Sequence, residues 1–522
     1  MKKILLIAAL ALCGVGAFAQ EEVNELTNRQ SRLGREYLRP SLTTIYVHDA
    51  SQTAAEAVEV LKTNVDRKFD INSVKVNTFT SDQVAGDETQ RKAVIESIIA
   101  SEKLGNQIMK NWFPKFDSNS GYTIEVLEER GQFAATDNDV LEANASARQS
   151  SMFELGERLI DRSYLMVYFV SDASYTNKKG ERVTQARVTP YVYKLDFNAE
   201  VMNAFYGQYY TVADGIDKCE FPLVYTAHGE SVDMLKTSSG YDSTGAYEDL
   251  MHNVKHVNDF MVKSPVAKTM PICAKLGTKE GLQVDKRFDV IELREKKDGT
   301  LYEKRIACTR VRKVASNDTI ATGDSENYSK FYQFKGLKVR EGQVLVENPD
   351  RGVSIGADIA TSDVSITADY RLGKHFGVPG LLLGLNVGVV ATSKEFKALP
   401  MFGEGDYYYL VNSNGDPLKS PILKAGLNIA KEFNFFRNLV FTPQIAAGVY
   451  FPTIKDNNDE FIMDAYYVGA SVKLGYMITH NSQLFVEAGY NYNITGEIFE
   501  TYVKEENMPN PLKIGLGFKV YF

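Results

Sequence analysis

The last ten residues of the chain alternate strictly between apolar side chains and polar or small ones. From Lys513 to Phe522 the sequence reads K-I-G-L-G-F-K-V-Y-F, so one face is wholly apolar and uncharged, and the other carries lysine, glycine and tyrosine. A period of two is the signature of a β-strand with unlike faces. This stretch therefore predicts a strand that lies between an apolar and a polar environment.

The same two-residue period recurs seven times upstream of this strand. The predicted strands are 353–359, 364–370, 381–390, 422–430, 439–451, 466–478, 484–492 and 513–522. Most have about the 9–11 residues that a tilted strand needs to cross a bilayer. Their outward-facing residues are apolar, as at Ile355, Leu385 and Val472. The pattern predicts an eight-stranded antiparallel transmembrane β-barrel over residues 351–522.

The connections between these strands alternate in length. The second, fourth and sixth (371–380, 431–438 and 479–483) are short, and the third, fifth and seventh (392–421, 452–465 and 493–511) are longer. Outer-membrane barrels have short periplasmic turns and longer extracellular loops, and both ends of an even-stranded barrel lie in the periplasm. A soluble β-sandwich, the alternative, gives no reason for this alternation.

Length and composition limit the other possibilities. A chain of 522 residues with 44% hydrophobic and 24% charged residues is globular and long enough for two to four domains. Beyond the N-terminus no apolar run reaches the ~18–20 residues of a spanning helix. A membrane span must then be a closed barrel, because only helices and closed barrels satisfy the backbone in lipid.

The first 19 residues have the pattern of a signal peptide. Lys2 and Lys3 precede the apolar stretch 4–15, and Ala17-Phe18-Ala19 fits the small-x-small cleavage rule. A buried N-terminal helix is one alternative, and a lipoprotein modified at Cys13 is another, although bulky Leu12 disfavours it. Removing two lysines changes the formal charge from −8 to −10. With no basic stripe, nucleic acid is not expected as a partner.

Residues 20–268 alternate between strand and helix patterns. The predicted strands are 42–47, 74–79, 122–127, 164–170 and 183–195, and the predicted helices are 54–69, 92–112, 140–160 and 247–262. Residues 164–170 (Y-L-M-V-Y-F-V) are apolar and aromatic throughout, which is typical of a buried central strand. The alternation predicts an α/β region, and the whole chain is therefore a multidomain α+β protein.

Residues 269–350 form a predicted small β-rich module. Gly281-Leu282-x-Val284 leads to the strand 289–292, and Gly336-Leu337-x-Val339 leads to the similar strand 344–347. Asp298-Gly299 is a hairpin turn signal. We expect a compact barrel-like unit, in which Cys273 and Cys308 could pair. Three cysteines follow the leader, so at least one thiol stays free.

The inward faces of the C-terminal strands carry charge. The predicted inward residues are Asp358, Asp369, Arg371, Lys424, Lys473, Glu487, Lys513 and Lys519. They could line a pore or pair as a network that fills the barrel, and eight strands favour filling. Aromatic residues mark two predicted rims, the inner with Phe376, Phe433, Phe435 and Phe436 and the outer with Tyr450, Phe451, Tyr466 and Tyr467.

No catalytic, cofactor-binding or metal-binding residue is predicted. His252 and His256 lie four apart on a predicted helix, but Asn253 stands where a zincin helix needs glutamate. Ser231 and Ser243 do not fit G-x-S-x-G. Residues 456–460 could hold Ca²⁺ but lack EF-hand spacing. The exposed tyrosines 407–409 suit ligand contact. We therefore expect no cofactor and no enzymatic activity.

Three stretches carry a resemblance to a known class. I-G-L-G-F-K-V-Y-F at the end, D-Y-R-L-G-K at 369–374 and G-L-L-L-G-L-N-V-G-V at 380–389 resemble the outer-membrane β-barrels of Bacteroides-type bacteria, whose closing strand ends in Phe and serves as an assembly signal. The N-terminal region resembles envelope α/β domains such as those of curli-secretion lipoproteins. These resemblances imply a cell-envelope location and name no ligand.

The expected function follows from this organisation. The barrel would anchor the protein in outer-membrane lipid, and the region before it would lie in the periplasm as a structural or scaffolding part that contacts other envelope proteins. Two alternatives remain: a surface adhesin or receptor that acts through the long loops, and an envelope enzyme with its site in the α/β region.

Overall fold

The computed structural model describes residues 39–64, 68–84, 86–123, 125–126, 156–254, 257–296, 301–316, 328–395, 399–400, 407–408, 419–452, 465–495 and 510–522. The chain forms two compact units. The first contains the chain up to Ser264, and the second contains most of the residues from Pro265 onward. The predicted signal peptide 1–19 and most of the predicted helix 140–160 lie outside the described residues, although 156–160 are helical.

A mixed eight-stranded sheet forms the middle of the N-terminal unit, in the order β12-β11-β9-β6-β1-β2, with β10 on β9 and β3 on β1. The strands of this unit, including the small pairs β4–β5 and β7–β8, are β1 (Ser41–His48), β2 (Asp70–Asn72), β3 (Thr78–Thr80), β4 (Phe116–Asp117), β5 (Gly121–Tyr122), β6 (Ser163–Asp172), β7 (Tyr175–Thr176), β8 (Arg182–Val183), β9 (Gln185–Leu195), β10 (Leu223–His228), β11 (Val232–Thr237) and β12 (Gly240–Tyr241). β6 is parallel to β1 and antiparallel to β9. Its first eight residues are buried, which confirms the predicted central strand.

Helices cover both faces of this sheet, and each face has its own apolar core. They are Gln52–Leu61, Glu88–Glu102, Leu104–Trp112, Ala199–Ala204, Gly215–Lys218 and Ser243–Asn253, with a π-helical turn Phe205–Tyr209 and a 3₁₀ turn Asn258–Phe260. None of the helices in the described part of the chain is long and apolar enough to cross a membrane.

The prediction of one long helix over 92–112 is wrong. The chain breaks at Lys103, which has a left-handed φ of 47°, and a second helix starts at Leu104. A Cβ on Gly105 would lie 1.9 Å from the carbonyl oxygen of Phe221, so the second helix needs glycine there to pack closely. The side chain of Asn106 donates to the carbonyls of Ile216 and Cys219. Tertiary contacts therefore override the local helix pattern.

Other element boundaries also differ from prediction. The helix expected over 54–69 is Gln52–Leu61, which begins early because the Ser51 side chain accepts from the Ala54 amide. The helix expected over 247–262 is Ser243–Asn253, capped by Asp242. Where the structure describes the strands expected over 74–79 and 122–127, Thr78–Thr80 and Gly121–Tyr122 are extended, and residues 125–126 are helical.

The small β-rich module is a closed six-stranded barrel, in the order β13-β14-β17-β16-β15-β18. Its strands are β13 (Lys263–Thr269), β14 (Ile272–Ala274), β15 (Arg287–Glu295), β16 (Leu301–Lys313), β17 (Ser329–Gly336) and β18 (Val344–Glu347). The first strand starts at Lys263, six residues before the predicted start of the module at residue 269. β15 and β16 pair as the predicted hairpin, whose turn residues 297–300 lie outside the described part.

The two similar segments of the module are neighbours in space. Asp289, Val290 and Ile291 pair antiparallel with Val346, Leu345 and Val344, respectively. The interior of this small barrel is apolar, and its fully buried residues include Phe288, Val290, Val311, Phe331 and Leu345. The sequence similarity therefore marks two strands that share one core.

The two cysteines of the module do not form the disulfide considered from the sequence. Cys273 and Cys308 are both free and buried. Cys273 pairs with Lys330 and Cys308 with Lys335 of the intervening β17. Five residues of strand correspond to roughly 17 Å, whereas a disulfide needs Cα atoms within about 7 Å. The two thiols are therefore too far apart along the barrel to pair.

All eight predicted C-terminal strands form, and they close into an antiparallel barrel. They are β19 (Val353–Ala360), β20 (Val364–Arg371), β21 (Leu381–Glu395), β24 (Lys419–Lys431), β26 (Leu439–Pro452), β27 (Ala465–Met477), β28 (Ser482–Thr495) and β29 (Leu512–Tyr521). Short elements between them are the helix Gly373–Phe376 and the strands β22 (Leu399–Pro400), β23 (Tyr407–Tyr408) and β25 (Phe433–Phe435). Closure is completed by β19 pairing with β29.

The faces of this barrel are reversed relative to a soluble barrel. Outward positions are apolar and exposed, with Ile359, Leu385, Ile445 and Leu516 between 54% and 65% accessible. Most inward positions are polar, charged or glycine, and Phe485 is an apolar exception; these positions are buried. The observed alternation confirms the predicted direction of every strand. An apolar exterior on a closed barrel is the arrangement that a β-protein needs in lipid.

Candidate functional site

The interior of the eight-stranded barrel contains a balanced set of buried charges. Lys424, Lys473, Lys513 and Lys519 are opposed by Asp358, Asp363, Asp369 and Glu487, which gives four positive and four negative side chains, each at most 5% exposed. Seven of these were predicted to face inward. Asp363 was missed because it lies in the short connection between β19 and β20 rather than in a strand.

Lys513 is the centre of the larger cluster. Its Nζ lies 3.1 Å from Asp358, 3.1 Å from Glu487 and 3.8 Å from Asp363. Lys424 also pairs with Asp363, at 2.5 Å. The neutral side chains of Ser365, Ser471 and Gln444 donate further hydrogen bonds to these carboxylates. Buried charges are tolerated when they are paired in this way.

A second cluster lies nearer the end of the barrel at which the chain enters and leaves. Lys519 pairs with Asp369 at 2.6 Å, and Asn428 donates to the same carboxylate. Lys473 lies opposite Glu487 in the strand register, and its Nζ is 5.0 Å from the centre of the Phe485 ring. The cationic residues are thus held by carboxylates or an aromatic face inside the barrel.

The interior leaves little free space. One cavity, of about 20 Å³, lies beside Lys424, Glu487 and Lys513, which is room for about one water molecule. Two asparagine oxygens at this cavity, on Asn386 and Asn428, have no hydrogen-bond partner among the described residues, as expected if water completes their bonds. Among the described residues the buried charges thus pair with one another around a small cavity, which agrees with the predicted filling network.

Asp285 of the small barrel joins it to the end of the eight-stranded barrel. Its carboxylate accepts from the Gly380 amide at 2.8 and 3.0 Å and from the Tyr332 hydroxyl at 2.8 Å. Arg371, at the end of β20, lies 3.7 Å away and also pairs with Glu432. A Cβ on Gly373 would come within 2.0 Å of the Asp285 carboxylate, so the 371–380 turn is shaped around it.

Buried side chains from both barrels close this junction. Cys308 and Phe334 of the small barrel pack with Val440, Met477 and Tyr521 of the large one. The hydroxyl of Tyr521 bonds to Glu432 and Gln483. The small barrel therefore covers the mouth of the large barrel on the side of the short turns.

A second ion pair supports the junction. Arg310 pairs with Asp350 and also donates to the main-chain carbonyl of Asp285 at 2.8 Å. Burial opposes the charge on both partners, but their mutual attraction prevails, so the pKa of Arg310 is raised and the pKa of Asp350 is lowered. Burial also raises the pKa of Tyr332 well above its usual value. All three groups keep the protonation states that their hydrogen bonds require.

Sequence reasoning missed Asp285 and Glu432. Asp285 lies 95 residues from Gly380, and no spacing pattern connects them. Its φ of 69° is one that Asp adopts more readily than most residues, but that preference alone does not indicate a partner. Arg371 is buried in phase with Asp369 on the inward face of β20, as predicted, and at the end of the strand it also takes part in this junction.

The other candidate residues that the structure describes are not brought together into one site. Ser231 bonds to Thr189, and His252 lies in the last turn of the helix Ser243–Asn253, whereas His256 lies outside the described residues. Residues 409 and 456–460 are also outside them. Within the described ranges no group of three or more His, Cys, Asp or Glu side chains could hold a metal.

The predicted aromatic rims are only partly correct. Phe376, Phe433, Phe435 and Phe436 are exposed at the short-turn end, as expected for an interface belt. At the other end Tyr466 is exposed, but Tyr450 and Tyr467 are buried and lie against each other with ring centres 5.1 Å apart. The strand alternation turns these two tyrosines toward the interior, so they belong to the filled core of the barrel.

The solved structures that resemble part of this chain include surface and outer membrane proteins, all at low sequence identity. No family model and no curated protein matches the chain. Among solved structures, Neisserial surface protein A is 11% identical with a TM-score of 0.20, and the match covers 33% of this chain and 93% of that one. A major outer membrane protein from Thermus thermophilus is 16% identical with a TM-score of 0.21, over 33% of this chain and 97% of that one.

The N-terminal β-barrel domain of Pseudomonas aeruginosa OprF is 13% identical with a TM-score of 0.18, over 33% of this chain and 95% of that domain. At such identities and TM-scores we take no residue role or activity from these proteins. The closed strand pairing, the apolar exterior and the charged interior are themselves sufficient for one conclusion. The C-terminal part of the chain is a β-barrel of the outer-membrane type.

Proposed function

We propose that this protein is an outer-membrane anchor that holds a structural platform in the periplasm. The observation that carries the proposal is the junction at Asp285, where hydrogen bonds and an ion pair fix the small barrel to the mouth of the membrane barrel. A filled interior and a covered mouth suit an anchor better than a channel. The small barrel then extends the anchor as a fixed support.

The sidedness of the proposal follows from the turns. The small barrel precedes β19 and covers the end that carries the short 372–380, 432–438 and 478–481 connections. In outer-membrane barrels the short turns are periplasmic. The small barrel, and with it the α/β region that precedes it in the chain, is therefore assigned to the periplasm.

The α/β region is the proposed scaffolding part. We expect it to connect the outer membrane to another envelope component, with lipid and envelope proteins as partners and no nucleic acid. Exposed apolar side chains such as Ile71 and Val224, each about half accessible, are available on this unit for such contacts. The expectation that the protein is not an enzyme rests on the sequence and is part of the same proposal.

The receptor alternative depends on the long loops. Of the longest, residues 392–421, the structure describes only the strand ends and the short pair β22–β23, in which Leu399 lies opposite Tyr408. No described contact favours a ligand there. The anchor is therefore the function that the described geometry supports best.

One experiment tests the sealed anchor directly. The full-length protein is purified from outer membranes, tested for heat-modifiable gel migration, and inserted in planar bilayers. We expect heat-modifiable migration and no steady ion current, because the interior is filled and the mouth is covered. Steady channels with a defined conductance would overturn the anchor in favour of a pore, and a soluble protein without heat-modifiable migration would overturn the barrel.

The scaffolding role needs a test in cells. A photo-reactive amino acid at Ile71 or Val224 of the full chain should form a discrete adduct with one envelope component, whereas the same probe at lipid-facing Ile445 should give none with protein. Absence of adducts at both sites in intact cells would contradict the scaffolding proposal.

A further inference from the structure

We propose that the small barrel also binds the membrane surface directly, with anionic phospholipid headgroups as its ligand. The binding surface is here called the rim patch. It consists of Leu337 and Lys338, which follow β17 of the small barrel, and of Phe435, Phe436 and Arg437, which lie at the end of β25 and in the turn after it. The proposal rests on the anchor function above, since it requires the large barrel to lie in a bilayer.

The turn between β25 and β26 has an unusual conformation. Phe436 and Arg437 both have left-handed φ values, 46° and 68°, which residues other than glycine, asparagine and aspartate rarely adopt. The side chain of Phe436 is 86% exposed, and Phe435 is 49% exposed. Unfavourable backbone conformations of this kind concentrate at functional sites. This one presents a large aromatic side chain beyond the end of the barrel wall.

The small barrel adds a second exposed apolar residue at the same place. Leu337 is 62% exposed, and the preceding Gly336 amide donates to the Asn438 side chain at 3.0 Å. The Asn438 amide in turn donates to the carbonyl of Phe436 at 2.9 Å. Asn438 therefore bonds to the residue before Leu337 and to the Phe436 carbonyl, and so brings these two segments of different barrels together.

The rim patch is continuous with the lipid-facing band. Lys335 of the small barrel places its Nζ 5.3 Å from the centre of the Tyr476 ring and donates to the Met477 carbonyl. Tyr476 is 50% exposed on the outward face of β27, where it is the next outward residue after Leu474 of the apolar band. The small barrel thus reaches the outer surface of the barrel wall, where the bilayer interface should lie.

The chemistry of the rim patch fits an interface between lipid and water. Lys338 and Arg437 are exposed beside the apolar residues. Aromatic side chains are enriched at the level of the headgroups, and surfaces that combine apolar and basic residues bind anionic lipid. A protein partner is less favoured, because the apolar residues lie at the edge of a surface that is already in lipid.

The test places a benzophenone side chain at Leu337 of the full-length protein in vesicles that contain phosphatidylglycerol. Lipid adducts are quantified by mass spectrometry. Ile445, which is 65% exposed on the barrel wall, serves as the positive control. Leu235 of the α/β unit, which is 47% exposed, measures non-specific adducts. We expect lipid adducts at Leu337 well above those at Leu235.

A second variant tests whether the basic residues of the rim patch are needed for lipid binding. In the double variant Lys338→Glu and Arg437→Glu the adduct yield at Leu337 should fall at least about threefold in phosphatidylglycerol vesicles, while the yield at Ile445 is unchanged. Lipid adducts at Ile445 but not at Leu337, or a protein adduct at Leu337 in native membranes, would overturn the inference and leave the anchor intact. No lipid adduct at Ile445 would instead contradict the anchor itself.

Discussion

The two barrels of the C-terminal unit are both closed β-barrels, and their faces are opposite. The six-stranded barrel buries Phe288, Val290 and Leu345 inside. The eight-stranded barrel buries lysines and carboxylates inside and exposes residues such as Leu385 and Ile445. Both barrels therefore have a period of two along each strand, but the apolar residues face inward in the small barrel and outward in the large one. The surroundings of each barrel decide which of the two arrangements is stable.

The difference follows from the medium around each barrel, which is water for the small barrel and lipid for the large one. In water, burying apolar area stabilises by about 25 cal/mol per Å², so apolar residues collect inside the small barrel. In lipid the exterior gains nothing from polar groups, and an unpaired charge there is costly. Polar residues of the large barrel must then satisfy one another inside, which explains its balanced ion pairs.

The largest expected effect comes from removing one member of the interior network. Lys513→Met leaves three carboxylates with one fewer cation and an unbalanced negative charge. We expect a loss of about 3–5 kcal/mol in the free energy of unfolding, the usual result of breaking a buried pair on one side. Urea titration of the protein in phospholipid vesicles, followed by gel mobility, measures it.

A matched control removes a complete pair. The double variant Lys519→Met and Asp369→Leu keeps the interior neutral, and replacement of a whole buried pair by apolar residues is often close to neutral in stability. It should lose much less than the Lys513 variant. Equal losses in the two proteins would show that individual packing, rather than charge balance, governs this interior.

A smaller effect is expected from a charge on the exterior. Leu427 is 56% exposed and lies opposite Leu385 of the neighbouring strand. Leu427→Arg should cost about 2–4 kcal/mol in vesicles, as for arginine near the middle of a lipid-facing strand. Leu235→Arg at a similarly exposed site of the α/β unit should change stability by about 0.5 kcal/mol or less. Similar costs at both positions would mean that Leu427 does not face lipid.

The junction between the barrels should respond more weakly. Asp285→Asn preserves the size of the side chain and one acceptor oxygen but removes the charge that faces Arg371. We expect a loss of about 1–3 kcal/mol and faster hydrogen exchange of the Gly380 amide. Asp233→Asn, in the exposed pair with Arg187, is the control and should cost at most about 1 kcal/mol. Unchanged exchange at Gly380 would contradict the role of Asp285.

The parts of this structure that the sequence predicts are those with a local period. The eight C-terminal strands follow from the alternation of side chains within each strand. The junction was not predictable in this way, because Asp285 and Gly380 are brought together only by the fold. The helix break at Lys103 was missed for the same reason, since it depends on the approach of Gly105 to Phe221.

The last prediction concerns the chemical reactivity of Cys308, which lies in the apolar cluster shared by both barrels. Burial, together with the nearby Asp289 carboxylate, raises the pKa of its thiol to about 12. At pH 8 the thiolate fraction is then on the order of a thousandfold below that of an unperturbed thiol. We expect Cys308 in the folded protein to resist iodoacetamide and to react once the protein is unfolded.

The reactivity of Cys308 therefore reports whether the two barrels stay joined. Peptide mass spectrometry after timed alkylation compares it with Cys273, a buried thiol of the small barrel outside that cluster, whose pKa burial also raises. Asp285→Asn should accelerate labelling of Cys308 more than labelling of Cys273, because loosening the junction exposes one thiol selectively. Equal acceleration of both thiols would instead indicate that the whole small barrel opens, and that the junction is not a separate source of stability.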